Sequence, residues 1–456
     1  MDEANMLAEK DIKYLYWIAA HVVLGGLIYL LPIVAKIYGV LIFLFGIIYV
    51  FKTRNKNHEA LFVSAYAVGS EVLLRMTDGN PVYEFSKYAV ILFLLMAMYF
   101  KGFSRNAVAY WVFLVLLVPG VLISTQVIDF DESLRKSISF NISGPVCLGI
   151  SALYMYNRKI SFEAINDLLA LMAMPIITTA VYLIFYTPNI RDVVTGTSSN
   201  FETSGGFGPN QVSTMLGMGI FILFVRLVLF SKSKLVLAVN LVVFLGVTYR
   251  GLVTFSRGGI MTAIIMILVF LVVVYIKLNN RGRIKLNILI VIFLMILGGL
   301  WSYSSVETGG MIEKRYANQD ASGRVKESQL SGREDIMKSD LVMFAQNPFF
   351  GVGVAKSARI RGDMFGMGKL SHNELTRMLA EHGAMGIMSM LILIVTPLVL
   401  YIDNRSNLFV FCFLVFWALT ISHAAMRLAA PAFIYALSIL KVYRDEENPL
   451  HRQQTD

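Results

Sequence analysis

The chain has 456 residues, 57% of them hydrophobic and only 15% charged, with a formal net charge of +10. Soluble globular domains carry about 25% charged residues, and apolar runs of bilayer length recur here from end to end, so a water-soluble fold and an alternating membrane barrel are both excluded. Two cysteines, Cys147 and Cys412, exclude a disulfide framework and a four-thiolate metal site. In such a chain the positive charge points to orientation signals and anionic lipid, not nucleic acid.

Residues 1–13 are charged and lack a signal-peptide pattern, so the first span is expected to act as its own targeting signal. The hydropathy pattern places spans at 13–31, 34–51, 60–76, 86–101, 107–124, 142–156, 165–187, 210–230, 235–253, 259–277, 286–304, 384–402, 407–421 and 428–442. The last two are short enough to be one broken helix, which makes an all-α integral membrane bundle of 12–14 helices. Short basic loops at 52–57, 101–105, 157–159, 231–234 and 277–285 mark the cytoplasmic side. The alternate loops 77–84, 126–133, 188–209 and 305–383 then face out, and an even span count leaves both termini inside. Four regions and a tail follow: N-terminal helices over 1–187, central helices over 188–304, the large outer loop 305–383, C-terminal helices over 384–443, and a polar tail 444–456.

The outer segment 305–383 is too long for a connector. It contains two Ser-x-x-Glu capping boxes, Ser331-Gly332-Arg333-Glu334 and Ser371-His372-Asn373-Glu374. Met337, Leu341, Phe344 and Ala345 form an apolar stripe after the first, and Asn347-Pro348 stops that helix. Leu375, Met378, Leu379 and Ala384 form one after the second, with Gly383 as the breaker. Both helices are expected to lie against the membrane surface or the bundle.

Arg333 and His372 fall in the first turns of these capped helices, where free N–H groups and the dipole attract anions and disfavour imidazolium. A neutral histidine can accept a proton from a sugar hydroxyl. Arg257 lies in Thr254-Phe255-Ser256-Arg257-Gly258-Gly259 between two apolar spans, and Arg250 shares that connection. Arginine near membrane depth costs about 2.5–3.5 kcal/mol on insertion scales, so it needs a partner or a task; its guanidinium suits phosphate. Gly206-Phe207-Gly208-Pro209-Asn210 opens a span, with Asn210 placed to cap it. Asp129-Phe130-Asp131 is an outer DxD of the kind that holds a divalent cation, although a solvated loop explains it too. Glu71 and Arg75, and His423 and Arg427, stand four residues apart near outer helix ends.

Three of these segments together resemble the O-antigen ligase and Wzy-type polymerase superfamily of bacterial envelopes. They are Ser256-Arg257-Gly258-Gly259, then Gly332-Arg333 with Pro348 and Gly351-Val352-Gly353, and His372-Asn373 followed by Gly383-Ala384-Met385-Gly386. Arg324 sits in a second Ser-Gly-Arg, but only Arg333 has the matching downstream spacing. The resemblance covers 206–386 and implies a GT-C-like membrane glycosyltransferase without cofactor or, for the ligases, metal. It would move a glycan from undecaprenyl pyrophosphate to an acceptor hydroxyl on a lipid core or a growing glycan. By the resemblance, Arg257 and Arg333 would grip the pyrophosphate and His372 would activate the hydroxyl, with Asn210, Arg250, Asn373 and Gly353 contacting substrate. The expected setting is the bacterial cytoplasmic (inner) membrane, with the site outside. Ligase is the favoured reading, polymerase the alternative, and a transporter of lipid-linked sugars the rival from another class; no internal repeat supports the last.

Overall fold

The computed structural model describes residues 3–126, 132–328, 333–366, 368 and 370–444. The Asp129-Phe130-Asp131 triplet, the cap residue Ser331 with Gly332, and the tail beyond 444 lie outside these residues.

Helices occupy all fourteen expected span positions. Among the described residues ten are long and apolar enough to cross a membrane, which is fewer than the 12–14 expected. The other four fall short for visible reasons. Helix Glu59–Met76 carries Glu59, Glu71 and Arg75. Phe85–Lys101, Val410–His423 and Ala430–Leu437 have 17, 14 and 8 residues, against the roughly 20 that a bilayer asks for. The chain is therefore a polytopic α-helical membrane protein. One small sheet accompanies the helices: Lys159–Ser161 pairs in parallel with Lys441–Tyr443.

Two compact units make up the chain, and neither is contiguous. The first holds residues 1–44, 65–83 and 168–326; the second holds 45–64, 84–167 and 327–456. In the first, helix Pro209–Leu229 is buried along most of its length and packs between Lys234–Leu252 and Arg257–Lys277. Small residues permit the close approach. A Cβ at Gly259 would run into the carbonyl of Ser213, and one at Gly217 into the carbonyl of Gly259. Glu71 and Arg75 form the expected ion pair, 2.9 Å apart and buried.

In the second unit, buried hydroxyls tie distant helices. Tyr110 and Tyr435 meet at 2.9 Å, and Asn55 donates to Tyr154 at 2.6 Å. The outer segment forms helix Met311–Tyr316 in the first unit and Arg333–Gln346, Ser357–Phe365 and Glu374–His382 in the second. Arg333–Gln346 ends ahead of Asn347-Pro348, and Gly383 (φ +59°) separates Glu374–His382 from the span Ala384–Ile402, both as the sequence predicts.

The buried faces of these outer helices are not the expected apolar stripes. Arg333–Gln346 buries Ile336, Ser339, Asp340 and Met343, and exposes Leu341. Glu374–His382 buries Glu374, Thr376, Arg377, Glu381 and His382 with Met378 and Ala380, and exposes Leu375. Charge, not apolar periodicity, sets which side faces in.

Candidate active site

In the first unit, the candidate element is the turn before helix Arg257–Lys277. Phe255 is fully buried at φ +57°, a left-handed conformation unusual for an aromatic residue. Three bonds hold it there. Arg315 donates to the Phe255 carbonyl at 2.8 Å, the Ser256 amide donates to Thr254 Oγ1 at 3.2 Å, and Asn200 N–H donates to the Thr254 carbonyl at 3.0 Å. Ser256 stands at the N-cap but makes no side-chain cap. Its hydroxyl donates to Asn210 Oδ1 at 2.8 Å, and Ser213 donates to its carbonyl at 2.8 Å.

This network corrects the reading of Asn210. Gly208 is the N-cap of helix Pro209–Leu229 and makes no side-chain cap bond. Asn210 is the second helical residue, and its side chain joins the Gly-Phe-Gly-Pro-Asn segment to the Ser-Arg-Gly-Gly turn. Arg257 follows as the first helical residue, half-buried. Arg315 and the half-buried Lys326 share its surroundings: burial first, then the charges of Arg315 and Arg257, lowers the Lys326 pKa. The same two guanidiniums act on Tyr316, whose hydroxyl burial pushes up to about 12. The Lys326 amide bonds the Asn318 carbonyl at 2.9 Å, which closes a short hairpin over 318–326. Arg324, exposed in that hairpin, pairs with Asp320 at 3.1 Å.

Arg250, expected at substrate, is 2% exposed and donates to the carbonyls of Leu183 and Thr187. It binds carbonyls at the end of helix Phe162–Tyr186, where the Leu183 carbonyl also accepts the Thr187 amide at 3.1 Å, a task that sequence spacing does not disclose.

In the second unit, the candidate element is the loop before helix Glu374–His382. Asn373, not Ser371, is its N-cap: Asn373 sits at φ −109°, ψ 112° and accepts the amides of Leu375 and Thr376 at 2.9 and 3.4 Å. His372 therefore precedes the helix instead of lying in its first turn, and the dipole is not what keeps it neutral. Burial lowers its pKa to about 3, helped by the charges of Arg427, Arg333 and His423. The ring is half-buried. Arg333, the first residue of its helix, donates to the His423 carbonyl at 2.9 Å, and burial lowers its pKa. Glu334 accepts from Ser328 at 3.0 Å.

Under this loop lies a buried charge cluster. Arg377 donates to both oxygens of Glu374, to Glu381 at 2.9 Å and to Asn141 Oδ1 at 3.0 Å. Ser357 donates to Glu381 at 2.8 Å. Beside it, the fully buried pair Arg361–Asp340 is bonded to Ser339 and Thr376, at 2.6 and 2.8 Å.

Gly353, expected at substrate, is buried instead. At φ +94° its missing Cβ leaves room for Ser124, and its amide donates to the Glu381 carbonyl at 3.2 Å. The two glycine motifs meet: a Cβ at Gly351 would strike the Glu381–His382 peptide, and one at Gly383 would lie 2.7 Å from the Pro348 carbonyl. The glycines thus serve close backbone packing that holds the His372 helix to the segment 348–354.

The fold is that of a multi-pass helical membrane protein, with Arg257 and Arg333 at the first residues of two helices and His372 just before a third. Residues 241–391 match the family model described as O-antigen ligase. That segment of the 456-residue chain is similar to enzymes of the O-antigen ligase and Wzy-type polymerase superfamily, a family of membrane enzymes that implies lipid-linked glycan substrates. The matched segment contains Arg250, Arg257, Arg333, Gly353, His372 and Asn373, and leaves out Asn210, His423 and Arg427. A search of curated proteins finds no match.

Proposed function

We propose that the enzyme transfers a glycan from undecaprenyl pyrophosphate to an acceptor hydroxyl at the outer face of the bacterial cytoplasmic membrane. The observation that carries this reading is His372: a half-buried imidazole beside the N-cap Asn373, with Arg333 among the charged groups that act on it. A base that is neutral at pH 7 accepts the hydroxyl proton as the oxygen attacks the anomeric carbon. The bond from that carbon to the pyrophosphate oxygen breaks with inversion, and undecaprenyl pyrophosphate leaves with the electron pair. Arg257 and Arg333 supply the positive field that stabilises this leaving group. Asn210 and Asn373 serve by holding the turns that carry Arg257 and His372, Gly353 by packing against the helix that follows His372, and Arg250 by bonding the end of helix Phe162–Tyr186.

Ligase action is favoured over polymerase action, because His372-Asn373 followed by Gly383-Ala384-Met385-Gly386 resembles the ligase pattern more closely. His372→Ala and Arg333→Ala are each expected to abolish transfer while the protein stays folded in the membrane. A strain lacking the gene separates the readings. Full-length chains left on the carrier indicate a ligase, single repeat units a polymerase, and glycans trapped on the cytoplasmic face a flippase. A chelator-sensitive activity would bring the Asp129-Phe130-Asp131 triplet back as a metal site.

A further inference from the structure

The last two helices, Val410–His423 and Ala430–Leu437, are separated by a break at 424–429. Nothing in the matched family segment includes this break, which begins well after residue 391. The residues at its start each bind a different element of the candidate site. The carbonyl of His423 accepts from Arg333 at 2.9 Å. The amide of Met426 donates to the buried carboxylate of Glu374 at 3.4 Å, at the start of the helix that follows His372. The Arg427 guanidinium donates to the carbonyl of Ser371 at 3.3 Å, the peptide that leads into His372.

The break is itself tightly specified. Ala425 is buried at φ +53°, a left-handed conformation that a non-glycine residue adopts only when its surroundings impose it. Gly144 on helix Glu132–Met155 makes room for it, since a Cβ there would lie 2.6 Å from Met426. A flexible connector between two membrane helices has no need of a left-handed alanine, a glycine contact and three polar contacts to outer elements.

We propose that the break 424–429 is the platform of the site and that Arg427 is a positioning residue for His372. This rests on the reading of His372 as the base for glycan transfer. Arg427 acts in two ways. Its bond to the Ser371 carbonyl fixes the peptide before His372, which sets where the imidazole points. Its charge opposes a second positive charge on the ring, so the ring stays an acceptor. The other groups that face His372 are Arg333 from helix Arg333–Gln346 and His423 from the end of Val410–His423, and both act in the same direction. Burial and these two groups remain when Arg427 is removed, so its loss is expected to raise the His372 titration midpoint without restoring the free value.

The test follows the His372 ring in full-length protein labelled with 15N-histidine in phosphatidylcholine nanodiscs, with His372→Asn as the assignment control. The Arg427→Gln variant is expected to titrate His372 at a higher pH than the parent, and Arg427→Lys to return most of the shift. Transfer in membranes is expected to fall in kcat at unchanged KM for Arg427→Gln. A folded Arg427→Gln protein with the parent titration midpoint and parent kcat overturns the proposal. The two readings fail separately. Transfer that survives His372→Ala removes the base assignment, whereas loss of transfer there with no effect of Arg427→Gln removes only the positioning role.

Discussion

The turn before Arg257 and the loop that carries His372 are both built to hold a charged or titratable side chain still, and they do so by opposite means. The Arg257 turn is held by small residues and single hydrogen bonds: Gly259 against Ser213, Ser256 to Asn210, and the Arg315 guanidinium to the neutral Phe255 carbonyl. The His372 loop is held by buried ions: Arg377 between Glu374 and Glu381, with Arg361 on Asp340 nearby. The difference is one of depth and failure. Neutral packing between membrane helices tolerates small errors. A buried ion cluster costs desolvation and is stable only while every partner is present.

The largest effect should therefore come from Arg377→Ala. It strands the carboxylates of Glu374 and Glu381 in a buried site, and breaking such a pair costs about 3–5 kcal/mol. Thermal unfolding of the purified protein is expected to fall sharply, with loss of all transfer. In the other region Gly259→Ala places a methyl against Ser213, and overpacking of this kind costs about 1–3 kcal/mol. A variant that unfolds no earlier than the parent would show that the helices part more easily than their packing suggests. Next comes Asn373→Ala, which removes the cap of the His372 helix at about 1 kcal/mol. Ser256→Ala removes one hydrogen bond to Asn210, about 0.5–1.5 kcal/mol. Arg324→Ala, on an exposed hairpin, should leave both stability and transfer unchanged.

The two regions also differ in their response to acid. His372 and His382 both have folded values near 3, chiefly through burial, against 6.5 when free. The unfolded chain binds more protons at both positions between these limits. Stability contributed by the neutral rings is thus complete above about pH 6.5 and declines as pH falls towards 3. Denaturation midpoints measured from pH 7.5 to 4.5 should fall steadily, and His382→Phe should flatten part of that slope. Transfer itself should persist well below pH 6, because the base remains neutral there.

Much of this was legible in the sequence. All fourteen helix positions follow from hydropathy, and Asn347-Pro348 and Gly383 end their helices where local rules put them. The ion pair of Glu71 and Arg75 is readable from its four-residue spacing. The failures share a physical cause: they depend on partners far away in the chain. Ser371-His372-Asn373-Glu374 contains two good N-cap residues, and spacing favours Ser371. Tertiary contacts of Arg427 with the Ser371 carbonyl and of Met426 with Glu374 accompany the other choice. The apolar stripe expected after Ser371 gives no sign that Glu374 and Glu381 are buried, since the contacts of Asn141 and Ser357 with this cluster cannot be seen in the sequence. Arg250 looks like a phosphate ligand until the carbonyls of Leu183 and Thr187 are brought to it. The signal that could have flagged Arg377 is Glu374-x-x-Arg377-x-x-x-Glu381, a spacing that puts both acids on one arginine.

The most direct measurement is glycan transfer in membranes carrying His372→Ala beside an equal amount of folded parent protein. The account predicts that transfer disappears while the protein's abundance and melting temperature hold. Transfer at the parent rate in that variant would contradict it.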